Sequence, residues 1–323
     1  MPYRSEDFLP LPISPAEQKF QNPYVTARGE ERARVDFKAY QTLWFNTGTL
    51  CNLTCRNCYI ESSPRNDRLV YLSCDDVRTF LDEADGIKDR PIEIGFTGGE
   101  PFMNPDFLEI LGETLSRGYR VLVLTNAMRP MQRLKERLAA INWRYPGQLG
   151  VRVSLDHFEP SGHEDLRGPG SWQPTIDGLM WLVASRFNVS VAGRTVWGKS
   201  DGEMRGGYAR LFGDLQLDID VDDRCKLVLF PEMQETDDVP EISVGCWEKL
   251  GVNPSDMMCA SSRMVVRRKG SDQATVVACT LLAYEEAFEL GTTLDEARGS
   301  IRLNHRYCAR FCVLGGASCS ASK

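Results

Sequence analysis

The sequence predicts an α/β protein built on parallel strands, followed by a small cysteine-rich C-terminal region that contains a β-hairpin. Three observations carry that expectation. Strand-like and helix-like runs alternate from Thr42 to Phe230, a rhythm that demands right-handed crossovers between parallel strands. The residues with chemistry to offer fall just after those strands, where α/β folds place their sites. Beyond Phe230 the rhythm stops and cysteines accumulate. Six strands fall short of the eight that close a (β/α)₈ barrel, so the pattern leaves a partial barrel and a doubly wound sheet both open.

The first forty or so residues are rich in Pro, Arg and Glu and weakly periodic, which predicts an N-terminal arm over 1–40. Thr42–Thr47 (TLWFNT) reads as the first strand and leads directly into C-N-L-T-C-R-N-C-Y. Ser73-Cys74-Asp75-Asp76 is a capping signal for a helix running to about Ala84. Ile92–Thr97 is a second strand, ending in Gly98-Gly99-Glu100-Pro101, and a helix starts near Pro105. Tyr119–Thr125 (YRVLVLT) is an apolar, β-branched strand that ends in Asn126. Helix, strand, helix and strand follow at about Met131–Ile141, Gly150–Leu155, Pro174–Arg186 and Val189–Val196. A last unit leads to Cys225–Phe230 (CKLVLF). The barrel is expected over 41–235 and the cysteine-rich domain over 236–323.

Composition narrows the function. Hydrophobic residues make up 42% and charged residues 26%, the balance of an ordinary globular protein. No run approaches the roughly 18 apolar residues of a spanning helix, and the first residues hold no signal core, so no membrane partner and a cytoplasmic location are expected. The net charge of −7 argues against a nucleic-acid binder. Eleven cysteines against three histidines is the unusual feature, and in a reducing compartment clustered thiols point to metal. They form an early group, Cys51, Cys55 and Cys58, and a late group, Cys246, Cys259, Cys279, Cys308, Cys312 and Cys319. Cys74 and Cys225 stand apart and read as small buried hydrophobes.

A structural zinc site wants four ligands, usually in paired knuckles, and the early group supplies three. Three thiolates suit a [4Fe–4S] cluster in which one iron lacks a protein ligand and can take a substrate or cofactor. C-x3-C-x2-C closed by Tyr59 and followed by G-G-E-P resembles the radical S-adenosylmethionine (radical SAM) superfamily, in motif order from roughly Thr42 to Phe230. The resemblance implies a partial (β/α)₆ TIM-like barrel, with Cys51, Cys55 and Cys58 on the cluster and SAM on the open iron. Tyr59 would lie beside the adenine, and Gly98, Gly99 and Glu100 would meet the methionine amino group. Thr125, Asn126, Ser154, Asp156 and Arg194 sit where the family contacts the ribose or carboxylate of SAM, although polar strand ends also cap structure.

The late cysteines, with the hairpin expected at Arg263–Arg268 and Thr275–Ala278, resemble the SPASM or shortened twitch extension, which carries auxiliary [4Fe–4S] clusters. The sequence departs from the fuller form, and six thiols cannot fill two clusters, so one auxiliary cluster is implied. Cys259, Cys279 and Cys319 are the first candidates, with Cys308 or Cys312 fourth and Cys246 a competitor; a zinc knuckle is the plainer alternative. Glu232 is a weak candidate for a base, since a solvated carboxylate explains it better.

The resemblance implies reductive cleavage of SAM to a 5′-deoxyadenosyl radical that takes hydrogen from a substrate, most readily a peptide or protein. A flavodoxin or ferredoxin-type donor would supply the electron. The alternatives are the same chemistry on a small molecule, and a non-catalytic iron–sulfur or zinc scaffold or redox sensor.

Overall fold

The computed structural model describes residues 19–88, 90–231 and 238–315. A short strand, β1 (Arg34–Val35), precedes β2 (Thr42–Asn46), β3 (Glu93–Thr97), β4 (Arg120–Thr125), β5 (Leu149–Ser154), β6 (Asn188–Arg194) and β7 (Leu227–Phe230). The helices are α1 (Cys74–Gly86), α2 (Phe107–Ser116), α3 (Arg129–Gln132), α4 (Lys135–Arg144), α5 (Pro160–Arg167), α6 (Trp172–Ala184), α7 (Asp201–Asp214) and α8 (Cys246–Leu250). Four short strands close the chain: β8 (Ser262–Val266), β9 (Thr275–Val277), β10 (Glu289–Gly291) and β11 (Ile301–Arg302).

Strands β2 to β7 pair in parallel and in sequence order, from Thr42 beside Glu93 to Arg194 beside Phe230. A doubly wound sheet would reverse its strand order partway, so consecutive order selects the partial (β/α)₆ barrel. Successive side chains alternate between two cores. Leu43, Phe45, Ile94, Phe96, Val121, Val123, Val151 and Val153 pack against the helices. Trp44, Leu122 and Leu124 face the barrel interior, in a cluster continuous with the cysteine-rich segment. Gly95 lies under the Trp44 ring, where a Cβ would come within 2.3 Å of it.

Ser73 caps α1 through the capping box that the sequence suggests, with Asp76 reaching back to the Ser73 N–H at 2.9 Å. The expected hairpin forms from β8 and β9, antiparallel. β8 also pairs in parallel with β2, Thr42 beside Ser262, so hairpin and barrel share one nine-stranded sheet, β10-β9-β8-β2-β3-β4-β5-β6-β7. Part of the N-terminal arm joins the other end of the chain: β1 pairs with β11, and the buried Arg32 is ion-paired with Glu241.

Three local readings need correction. The helix expected over Met131–Ile141 is split into α3 and α4. Cys225 is neither in a strand nor buried; it lies exposed in a turn before β7, its N–H bonded to the Asp223 carboxylate at 2.7 Å. Cys74, at the first position of α1, is half-buried rather than enclosed.

Candidate functional site

The loop after β2 carries Cys51, Cys55 and Cys58, at the C-terminal mouth of the barrel. Its backbone is fastened on several sides. Cys51 N–H bonds to Ser63 O at 3.1 Å, and Arg56 N–H bonds to Leu166 O at the end of α5 at 2.7 Å. The Arg56 side chain reaches Asp165 at 2.6 Å, and Arg194 lies 3.4 Å from Asn57 O. From the C-terminal segment, Tyr284 O–H donates to Ile60 O at 2.7 Å. The thiols are therefore held in place by four different parts of the chain.

Gly98-Gly99-Glu100 continues the β2–β3 pairing past the strands: Gly99 N–H donates to Gly48 O at 2.8 Å and Glu100 N–H to Leu50 O at 3.1 Å. A Cβ on Gly99 would stand 2.2 Å from Leu50 O, and Gly98 combines φ +137° with a would-be Cβ 2.5 Å from Gly48 O. The glycines thus let one loop lie directly against the entry to the cysteine loop. Glu100 is turned inward. Its carboxylate accepts from Phe102 N at 3.2 Å, Thr125 Oγ1 at 2.8 Å and Asn126 N at 2.9 Å. Burial raises its pKa to about 7 against those donors. Asn126 Nδ2 donates to Asn52 Oδ1 at 2.9 Å and lies 4.0 Å from Cys51 Sγ. Leu53 N–H also points at Cys51 Sγ, at 3.5 Å.

Beside the cysteine loop opens a cavity lined by both polar and apolar side chains. Tyr59, Ser154, Asp156 and Arg194 line it, as do Arg152 and Arg167; Leu281 and Phe311 of the C-terminal segment form a further wall. Thr125, Asn126 and Glu100 are not among its lining residues. Asp156 is buried, 2.7 Å from Arg167 Nε and 3.7 Å from Arg194 Nε. Burial would raise its pKa, but the two guanidinium groups prevail and hold it below the usual carboxylate range. Arg167 was not singled out from the sequence. Its only local signal is Pro160 at the start of a short helix, and its partnership with Asp156 depends on the fold.

The late thiols gather elsewhere. Cys259, Cys279, Cys308 and Cys312 line one apolar pocket whose other walls are Met257, Met258, Leu281, Leu282, Ile301 and Leu303, with Ala278 and Tyr307. A six-residue π-helical turn, Cys308–Val313, carries the last two. Leu281 belongs to this pocket and to the larger cavity. Burial pushes the Cys259 thiol up to about 11 and raises that of Cys308 well above the ordinary thiol range, as it lifts Cys51 to about 12. A bound metal reverses that preference by stabilising the thiolate. Among the described residues no three His, Cys, Asp or Glu converge closely enough to hold one ion. Four thiols spaced around an apolar pocket instead fit a multi-iron cluster that takes one thiolate per iron. Cys246 lies outside the pocket, 3.6 Å from Ser243 Oγ, and His305 packs between Phe288 and Tyr307. Cys319 and Glu232 lie outside the described residues.

The model of the Radical SAM superfamily matches residues 45–206, half of the chain. The protein belongs to the radical SAM superfamily. Mycofactocin maturase MftC of Mycobacterium tuberculosis is 30% identical over 138 residues, 42% of this chain and 33% of that protein. The AdoMet-dependent heme synthase of Methanosarcina barkeri is 32% identical over 141 residues, 42% of this chain and 37% of that protein. The chain thus spans about a third of the length of the curated relatives it matches. Among solved structures, Streptococcus suis SuiB bound to precursor peptide SuiA superposes with a TM-score of 0.55 at 14% identity, over 79% of this chain and 63% of that one. The likeness establishes a shared fold that runs past the family match into the C-terminal segment.

Proposed function

We propose that this protein is a radical SAM enzyme acting on a peptide or protein substrate. The carrying observation is the placement of the three early thiols at the barrel mouth, beside a cavity that unites Tyr59, Ser154, Asp156 and Arg194. Cys51, Cys55 and Cys58 would hold a [4Fe–4S] cluster, and SAM would occupy the cavity with its amino and carboxylate groups toward the open iron. When bound, such a cluster would supply one-electron reduction of SAM, yielding methionine and a 5′-deoxyadenosyl radical able to take a hydrogen atom from the substrate.

The chain's own residues do the positioning. Tyr59 offers a flat face for the adenine, and Arg167 and Arg194 lend positive charge to the side of the cavity where a carboxylate binds. Gly98 and Gly99 bring their backbone against the cysteine loop. Glu100, Thr125 and Asn126 fix that loop from behind, so they act through it. Cys259, Cys279, Cys308 and Cys312 would hold the auxiliary [4Fe–4S] cluster. Leu281, which lines both pockets, would stand between that cluster and the larger cavity.

A peptide substrate is supported by the fold shared with a structure solved in complex with a precursor peptide, and by the likeness to a maturase. The heme synthase among the relatives supports a small-molecule substrate as the second reading. A flavodoxin or ferredoxin-type protein would supply the electron, in the cytoplasm; among the described residues no helix is long and apolar enough to cross a membrane. The test is product analysis. Anaerobically reconstituted protein should release 5′-deoxyadenosine from SAM under a strong reductant, and Cys55→Ala should release none. Release undiminished in that variant contradicts the proposal.

A further inference from the structure

The segment from α3 through α4 carries Arg129, Arg133, Lys135, Arg137 and Arg144 against the single carboxylate of Glu136. The whole chain holds 38 basic and 45 acidic residues, so this face runs opposite to the protein's net charge. Arg129, Arg133, Arg137 and Arg144 are exposed and form no ion pair among the described residues. Acidic neighbours are engaged elsewhere: Glu113 of α2 pairs with Arg78 and Arg117, and Asp177 of α6 accepts from Gln173. At the far end of α4, Trp143 is 86% exposed. An exposed tryptophan beside an exposed arginine, Arg144, has the composition of an interface anchor.

The position of this face gives it meaning. Met128, the residue before α3, has its sulfur 4.0 Å from Asn52 Nδ2 of the cysteine loop, and Asn126 Nδ2 lies 4.0 Å from Cys51 Sγ. The basic segment therefore begins one residue after a contact with the three-thiol loop and continues along α4 for about 15 Å.

We propose that the α3–α4 face docks an acidic one-electron donor protein, setting its redox group against the cysteine loop. The inference rests on the radical SAM reading above, which requires such a donor: the donor loses one electron and the iron–sulfur group at Cys51, Cys55 and Cys58 gains it. A nucleic acid could also meet a basic face with an exposed aromatic ring. A donor is favoured because the segment starts one residue after Met128, which touches the loop whose cluster would receive the electron that splits SAM.

The test compares photoreduced flavodoxin with titanium(III) citrate as reductants of the full-length, anaerobically reconstituted protein. In the triple variant R129E/R133E/R137E, flavodoxin-driven 5′-deoxyadenosine formation should fall about tenfold or more at limiting donor, while the titanium-driven rate stays at the wild-type level. In the wild type, raising salt from about 50 to about 300 mM should slow the flavodoxin reaction alone. An unchanged flavodoxin rate in the triple variant, or a salt-independent one in the wild type, overturns the proposal. Absence of product with titanium(III) citrate in the wild type overturns the functional reading instead. Docking is then read from flavodoxin affinity by calorimetry, which the triple variant must weaken about tenfold. Salt-sensitive binding of single-stranded RNA with no flavodoxin binding also overturns it.

Discussion

The Thr125 hydroxyl donates to the Glu100 carboxylate at 2.8 Å, joining the end of β4 to the Gly-Gly-Glu-Pro loop after β3. Asn126 N–H donates to the second carboxylate oxygen at 2.9 Å, and the Asn126 side chain passes the link on to Asn52 of the cysteine loop. A buried carboxylate is thus the knot between two strand ends and the three thiols.

That knot makes apo-protein stability depend on pH. The native Glu100 takes up its proton near pH 7, whereas the unfolded chain waits until about 4.3. Between those values the folded state binds more protons, so stability should fall as pH rises, by at most about 4 kcal/mol from this group. Urea denaturation from pH 5 to 8 should show the slope, and Glu100→Gln should flatten it. An equal slope in the variant would place the titration elsewhere.

Gly99→Ala should damage the site through the backbone. Its Cβ would meet Leu50 O at 2.2 Å, and a carbonyl in a hydrogen-bonded loop cannot swing aside as a side chain can. We expect a loss of about 2 kcal/mol or more and reduced iron uptake. Gly112→Ala is the control: nothing lies within 4 Å of its Cβ in α2, so it should stabilise by about 0.5–1 kcal/mol.

Asp156→Asn should cost about 3–5 kcal/mol, because it leaves Arg167 and Arg194 close together without their buried counter-charge. The native carboxyl has a depressed pKa, so its contribution is complete above about pH 4 and fades as pH falls through the native value. Chemical denaturation at pH 7 and at pH 3 should show a large gap between variant and wild type that narrows in acid.

Cys308→Ala or Cys312→Ala should each reduce reconstituted iron from about eight to about four per chain, since each removes a thiol from the apolar pocket. Cys225→Ala should leave iron unchanged, because that thiol is exposed in a turn remote from the late cysteines in the sheet order. Iron and sulfide assays read both.

Much of the architecture was legible because local signals agreed with the fold. The apolar, β-branched run Tyr119–Thr125 became β4, and Ser73 became the cap of α1. The cysteine triplet was readable from spacing and its place after a strand. What was hidden depended on contacts distant in sequence. Nothing near Glu100 shows that Thr125 and Asn126 will enclose its carboxylate, or that Arg167 will face Asp156. The union of β8 with β2 joins residues more than two hundred positions apart. That Cys308 and Cys312 would reach the same pocket was equally hidden, because it depends on a π-helical turn that the spacing alone does not reveal.

Reduced, SAM-bound protein examined by electron–nuclear double resonance, with ¹⁵N in the amino group of SAM, tests the account at its centre. Direct attachment of that nitrogen to an iron held near Cys51, Cys55 and Cys58 should produce a ¹⁵N coupling that disappears in Cys51→Ala. A reduced cluster signal indifferent to SAM, with no nitrogen coupling, would contradict it.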